Sequence, residues 1–268
     1  MSIDRDRALR AFLSYVEPYD STNPRIALKV AHTLRVAALS DQIARAAAPS
    51  GPGLLPGDAD LCWLIGLLHD IGRFEQVRRF DTFNDAVSLP HAALGVEILF
   101  EGSEPTGEPP LIRAFVEEDA LLETIRSAIA HHSDLAVPEA LDERRRTFCH
   151  VLRDADKIDI LKVNCICPMA DIYGVSEEEM AASTLTDAVV DTFYAHRTID
   201  RAIRRTPADI LVSHICFAWE LVFPESTKIA HAQGHLDEML SRRFVDAATD
   251  KRFREMADHM RAELGLRA

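Results

Sequence analysis

The sequence predicts an all-α fold, a helical bundle followed by additional C-terminal helices. Apolar residues recur at helical spacing through most of the chain, and strand-like alternation is scarce. Of the 268 residues, 47% are hydrophobic and 27% are charged, as in ordinary globular proteins. A chain of this length can bury one large core. We therefore expect a single domain over residues 1–268, with its core at about 25–165 and an extension at about 166–268.

Two helices are predicted in the first part of the chain. Residues 25–45 carry an apolar stripe at helical spacing, and His32 lies inside it. Residues 61–70 are almost continuously apolar, which predicts a buried helix ending at His69-Asp70. We expect Gly72 to close this helix. A charge at the end of a buried helix is costly unless it is paired or coordinates a metal.

Two further helices each direct a potential ligand towards the core. Residues 120–132 have an apolar face that His132 continues, and the adjacent His131 points only partly away. Residues 146–163 carry apolar residues on the same face as Asp156. Asp154 also has apolar neighbours, so both aspartates remain candidates.

The rest of the chain divides into loops and C-terminal helices. We expect loops at 48–58, 78–89 and 101–110, where Gly, Pro and small polar residues gather. Helices are expected near 186–195, 207–223, 227–243 and 249–264. Sequence alone leaves open whether these C-terminal helices pack on the core or form a homo-oligomer interface.

Composition excludes several classes of protein. The formal charge of −13 argues against a surface for extended nucleic acid, because such affinity comes mainly from Lys and Arg. No run of eighteen apolar residues predicts a membrane span, and the charged N-terminus lacks a signal-peptide core. The five cysteines indicate reduced core residues, and Cys165-Ile166-Cys167 lacks zinc-knuckle spacing. We therefore expect a cytoplasmic protein.

Histidines and aspartates in ordered positions give the strongest functional signal. His32, His69-Asp70, His91, His131-His132 and Asp156 follow one another along the chain. Imidazole and carboxylate donors from separate helices can surround a cation that no single segment could hold. Metal charge would then compensate the buried carboxylates. The pattern predicts a site for one or two divalent metals.

This order resembles the HD-domain superfamily of metal-dependent phosphohydrolases. The stretch His69-Asp70-Ile71-Gly72-Arg73 is similar to the HDIGK stretch of HD-GYP phosphodiesterases, with arginine in place of lysine. His91 and Gly95 resemble their HPxxG motif, although Ala92 replaces the proline. Ser133–Pro138 contains no GYP motif, so specificity for cyclic di-GMP is not implied. The resemblance covers about residues 25–165 and implies an HD-domain helical bundle.

The resemblance also implies roles for individual residues. His32, His69, Asp70 and Asp156 would hold a first metal, and Asp70 would bridge to a second. The ligands of that second metal would be His91, His131 and His132, although one of the paired histidines suffices in some relatives. The family ligand is an Asp after Ala and before a basic residue, which favours Asp156 over Asp154. Iron, manganese, nickel and zinc all suit these mixed donors.

The expected activity is hydrolysis of a phosphate ester by a metal-activated water. Asp70 and Arg73 would be catalytic, with Arg73 clamping phosphate oxygens. Arg73, Arg78, Arg79 and Asn84 would bind substrate, although Arg78 and Arg79 fit a solvated surface equally well. We expect a phosphate-containing small molecule such as a nucleotide, cleaved by a phosphodiesterase or nucleotide phosphatase. The alternative is a non-catalytic metal- or nucleotide-sensing module.

Overall fold

The computed structural model describes residues 3–48, 53–101 and 109–266, and in these ranges it contains helices but no strand. The all-α prediction is therefore confirmed. The chain forms two compact units, Met1–Asp156 and Lys157–Ala268. The division falls inside the long helix Glu143–Ile166. Within the described part of the chain, no helix is long and apolar enough to cross a membrane.

The first unit is built from seven α-helices, the last of which continues into the second unit. They are α1 (Arg5–Val16), α2 (Pro24–Ala47), α3 (Asp58–Leu68), α4 (Ile71–Phe80), α5 (His91–Phe100), α6 (Asp119–His131) and α7 (Glu143–Ile166). Two 3-10 helices, Asp85–Val87 and Leu111–Ala114, lie in the connections. α3 packs against α2, and α5 packs against α4 and α6.

The second unit contains shorter helices around its own core. They are α8 (Met169–Tyr173), α9 (Glu177–Ala181), α10 (Asp187–Tyr194), α11 (Pro207–Ile215), α12 (Pro224–Gln233), α13 (His235–Leu240) and α14 (Ala247–Leu264). The 3-10 helices of this unit are Arg201–Ile203 and Cys216–Glu220. Its core includes Phe193, Val212, Phe253 and Met260, each at most 1% exposed.

The start of α2 follows from local sequence chemistry. The Asn23 side-chain oxygen accepts a hydrogen bond of 2.9 Å from the Arg25 backbone N–H, and Pro24 occupies the first helical turn. Asparagine caps orphan donors there, and proline has no N–H to lose. The buried stripe of α2 includes Val36 and Ile43, both fully buried. This face packs against α3 and fixes the direction in which His32 points.

The prediction that Gly72 closes a helix is wrong. α3 ends at Leu68, and Gly72 is the second residue of α4. A Cβ on Gly72 would lie 2.3 Å from the His91 carbonyl oxygen and 2.6 Å from the Gly95 backbone nitrogen. Close packing of α4 on α5 requires the glycine here, and α4 extends through residues 78–80 of the predicted loop.

Two C-terminal helix predictions need correction. The helix expected at 227–243 is divided by Gly234, which has a φ of +73° in the left-handed region and ends α12. His231 and His235 therefore lie on different helices. The helix expected at 207–223 is α-helical only to Ile215, and a 3-10 helix follows. Parts of the loops predicted at 48–58 and 101–110 lie outside the described residues.

Candidate metal centre

The Asp70 carboxylate lies between two pairs of histidines. Its Oδ2 atom is 3.6 Å from His32 Nε2 and 3.4 Å from His69 Nε2. Its Oδ1 atom is 3.6 Å from His91 Nε2 and 3.8 Å from His132 Nε2. All five residues are at most 5% exposed. The arrangement gives two candidate metal-binding groups that share one aspartate.

Helix ends place most of these side chains. Asp70 joins α3 to α4, His69 directly follows α3, and His91 is the first residue of α5. His132 directly follows α6, whereas His32 lies within α2. Residues at helix ends can converge from several directions because the chain turns there. The site therefore depends on the placement of three connections and of α2.

Backbone carbonyls fix the orientation of two imidazole rings. His69 Nδ1 donates to the Gly66 carbonyl oxygen at 2.7 Å, and His132 Nδ1 donates to the Ile129 carbonyl oxygen at 2.7 Å. A carbonyl only accepts, so each Nδ1 must carry the proton. In a neutral ring of this tautomer, Nε2 carries the lone pair, and both Nε2 atoms face Asp70. This is the tautomer that a metal ligand requires.

His91 completes the second group. Its Nδ1 atom lies 2.8 Å from Asp85 Oδ2, and its Nε2 atom lies 2.9 Å from His132 Nε2. Burial and the positive charge of Arg73 lower the pKa of His91 to about 3, although the hydrogen bond that His91 donates to Asp85 opposes this shift. The ring is therefore neutral near pH 7. Two imidazole nitrogens this close suit a shared cation.

The first group also fits a cation. Within the described residues, His69 Nε2 is buried and makes no hydrogen bond, which is costly for a polar atom. Asp156 Oδ1 lies 3.1 Å from His32 Nε2 and 3.8 Å from His69 Nε2. Burial raises the pKa of Asp70, but Lys29 and the neighbouring histidines outweigh it and hold the pKa well below its usual range. Carboxylates and imidazoles together are a suitable donor set for a divalent transition metal.

Of the two aspartates that the sequence left open, Asp156 is the one that lies beside the histidines. Both residues lie in α7, and Asp154 is fully buried. Two residues of a helix turn through about 200°, so the two carboxylates leave the helix on opposite sides. Burial raises the pKa of Asp156, but its contacts with His32 and His69 outweigh burial and lower the pKa below its ordinary value. The structure thus places Asp156 with the histidines.

Sequence reasoning missed Lys29. Its Nζ atom lies 2.5 Å from Asp70 Oδ2, and its side chain is 14% exposed. Lys29 precedes His32 by three residues on α2, a spacing that puts both on one helix face. The three-residue spacing between Lys29 and His32 could have indicated from the sequence that both side chains face the site. Lys29 brings a positive charge to the edge of the candidate centre.

A network of polar side chains holds Asp85, the residue that contacts His91 Nδ1. Arg73 Nη1 donates to Gln76 Oε1 at 2.7 Å, to the Phe83 carbonyl oxygen at 2.7 Å and to Asp85 Oδ1 at 3.0 Å. Gln76 Nε2 also donates to Asp85 Oδ1 at 2.8 Å. Asp85 is thereby held against the His91 ring. Asp85 lies in the segment predicted as the loop 78–89, and the sequence did not indicate this supporting role.

Four predicted site residues lie away from the cluster. His131 is about one-third exposed, and its Nδ1 atom lies 2.7 Å from Asp134 Oδ2. Arg78 and Arg79 are about half exposed and pair with Glu75. The Asn84 side chain is exposed and accepts a hydrogen bond from the Ala86 N–H. All four side chains thus contact neighbouring residues of the protein.

Comparison with known proteins agrees with this geometry. Residues 30–161 match the family model of the HD domain. These residues, just under half of the chain, therefore form an HD domain, the domain of a superfamily of metal-dependent phosphohydrolases. Searches of curated proteins and of solved structures found no significant match.

Proposed function

We propose that this protein is a phosphodiesterase or nucleotide phosphatase that uses two divalent metal ions. One observation carries the proposal: the two oxygens of Asp70 face two different histidine pairs at 3.4–3.8 Å. A single-metal site needs only His32, His69, Asp70 and Asp156. The second pair, His91 and His132, would then have no purpose at the same carboxylate.

The proposed ligands form two groups, one for each metal ion. His32, His69 and Asp156 would hold one ion, and His91 with His132 would hold the other, with Asp70 shared. When bound, such ions acidify water into a nucleophile near neutral pH and polarise a phosphoryl group. Iron, manganese, nickel and zinc all suit these donors. The Nδ1 hydrogen bonds of the rings keep the donor atoms in place before any ion arrives.

Other side chains supply charge for the phosphate. The Lys29 Nζ atom and the Arg73 guanidinium lie 5.3 Å and 5.6 Å from the Phe83 ring centre, so two cations flank one aromatic side chain. Arg73 is tied by three acceptors, which keeps its charge stationary beside Asp70. Lys29 has fewer protein partners in the centre and is the better placed of the two to meet a substrate phosphate. Charge that develops on phosphate oxygens would be stabilised there.

The proposed substrate is a small phosphate-containing molecule such as a nucleotide. Phe83 offers a half-buried aromatic ring next to the cations, and nucleobases stack on such rings. The formal charge of −13 disfavours an extended nucleic acid. We propose that the reaction takes place in the cytoplasm, without a membrane.

Metal content tests the two-ion arrangement. After reconstitution with Mn²⁺ we expect close to two ions per chain, falling towards one in His91→Ala/His132→Ala. Asp70→Ala should lose both ions and all hydrolysis while its circular dichroism stays helical. His131→Ala is the matched control, because this neighbouring histidine lies outside the cluster, and it should keep the wild-type content.

Turnover tests the reaction class. The loaded enzyme should be assayed with a generic bis-phosphodiester, a monoester, and a panel of nucleotides and cyclic dinucleotides. Preference for the diester would identify a phosphodiesterase, and preference for the monoester a phosphatase. Full metal loading without turnover of any compound would overturn the hydrolase proposal and favour the sensing module. One ion per wild-type chain, with activity unchanged in the His91/His132 double variant, would overturn the two-ion mechanism.

A further inference from the structure

The second unit holds a cluster of three metal-ligating side chains. They are Cys165 near the end of α7, His235 at the start of α13, and Glu238 within α13. One ligand atom from each lies within 4.8 Å of the other two. None of these residues belongs to the candidate centre around Asp70. The function proposed above leaves this cluster unused.

The break between α12 and α13 creates the cluster. Gly234 adopts a left-handed φ of +73°, and His235 begins a new helix directly after it. His235 and Glu238 are three residues apart and share a helix face, with 3.8 Å between His235 Nδ1 and Glu238 Oε2. Cys165 Sγ donates to the His235 carbonyl oxygen at 3.4 Å. Seventy residues of chain separate the thiol from the imidazole, so no spacing motif shows the site.

The chemistry of the three donors selects a class of ion. We propose that Cys165, His235 and Glu238 bind a zinc-class divalent cation. Thiolate, imidazole and carboxylate are the ligands that Zn²⁺ takes in proteins, and three of them leave one position for water. The Glu238 side chain is 63% exposed, so solvent reaches the site. A thiolate ligand disfavours hard ions such as Mn²⁺, which separates this site from the centre around Asp70.

Binding must displace a proton from the thiol. Burial and the nearby Glu238 carboxylate raise the pKa of Cys165 to about 12, so the free thiol is protonated at neutral pH. The step is Cys165–SH + M²⁺ → Cys165–S⁻–M²⁺ + H⁺, with no change of oxidation state. The cation compensates both the thiolate and Glu238.

A bound ion would join the end of α7 to α13. Cys165 lies in the part of α7 that belongs to the second unit, as α13 does, and it packs against the hydrophobic core of that unit. A ligand that binds the folded state alone stabilises that state by mass action. Addition of Zn²⁺ should therefore raise the unfolding temperature of the second unit. The ion would act as a structural clamp.

Titration of the full-length protein with Co²⁺ tests the proposal. A Co²⁺–thiolate bond gives a near-ultraviolet charge-transfer band, whereas the histidines and carboxylates around Asp70 cannot. We expect one such band per chain, displaced by Zn²⁺ and accompanied by release of one proton. Cys165→Ser should abolish the band, and Cys167→Ser is the matched control that should keep it. Glu238→Gln, which alters an exposed side chain and should fold, should weaken Co²⁺ binding about tenfold.

Three outcomes would overturn the site. These are no thiolate band in the wild type at saturating Co²⁺, an undiminished band in Cys165→Ser, and unchanged affinity in Glu238→Gln. The His91→Ala/His132→Ala variant should retain the band, because its altered residues belong to the other centre. Failure of this proposal is thereby distinguishable from failure of the hydrolase proposal.

Discussion

Replacing Gly72 with alanine tests the close packing between α4 and α5. The new Cβ would lie 2.3 Å from the His91 carbonyl oxygen and 2.6 Å from the Gly95 nitrogen. Both atoms belong to the backbone, so no side-chain rotation can relieve the overlap. A normal separation is about 3.5 Å, and the two helices must therefore move apart by about 1 Å. His91, at the start of α5, would move with the helix.

The size of the effect follows from two opposing terms. Overpacking of this kind costs about 1–3 kcal/mol, and alanine recovers at most about 1 kcal/mol of helix propensity. We expect a net loss of about 1–2 kcal/mol in the free energy of unfolding. Displacement of His91 by about 1 Å should lower hydrolysis about 100-fold. The second metal ion should be lost before the first.

Gly95→Ala provides the matched control on the same interface. A Cβ on Gly95 would meet its nearest atoms at 3.5–3.6 Å, which is ordinary contact. This variant should be neutral or more stable by about 0.5–1 kcal/mol. Thermal and urea unfolding followed by circular dichroism, with Mn²⁺ content, measure both variants. Wild-type stability and metal content in Gly72→Ala, or an equal loss in Gly95→Ala, would refute the reasoning.

Three further predictions concern single side chains. Because Asp85 orients His91, Asp85→Asn should weaken binding of the second Mn²⁺ ion about 10–100-fold in a metal titration. Unchanged affinity would show that Asp85 does not support the metal-binding position of His91. Asp156→Asn should lose more metal than Asp154→Asn, and the opposite ranking would put the ligand two residues earlier. Burial, Arg204 and Arg201 lower the pKa of His214 to about 3, below an unfolded value of about 6.5. Between these two pKa values His214 is protonated in the unfolded chain but not in the folded chain, so the free energy of unfolding should fall as pH drops from about 6.5 towards 3, by about 2 kcal/mol at pH 5. Urea unfolding of His214→Gln should show a weaker pH dependence than that of the wild type. An identical pH dependence in the two proteins would refute this prediction.

Local sequence patterns were sufficient for the fold class and for most of the candidate ligands. The apolar stripe around His32 and the apolar run before His69-Asp70 predicted helices that the structure contains. Periodicity is a property of neighbouring residues, so it can be read without knowing how helices pack. The order of histidines and aspartates indicated the HD-domain family, and the match over residues 30–161 confirms this prediction.

Choices between neighbouring residues required the tertiary structure. His131 and His132 are adjacent, and helix orientation alone decides which ring reaches Asp70. Asp154 and Asp156 differ in the same way, because about 200° of helix rotation separates them. Sequence periodicity indicates a face only to within one or two residues. The packing of the helices decides which of the neighbouring side chains points into the site.

Contacts between distant segments lay wholly beyond the sequence. The need for glycine at residue 72 arises from the His91 carbonyl oxygen, and Cys165 meets His235 across seventy residues. Lys29 reaches Asp70 only because α2 packs beside the junction of α3 and α4. Such pairings depend on the distance between helices, which hydrophobic burial sets collectively over the whole core. The sequence by itself therefore determined which side chains were available, and the tertiary structure decided which of them meet.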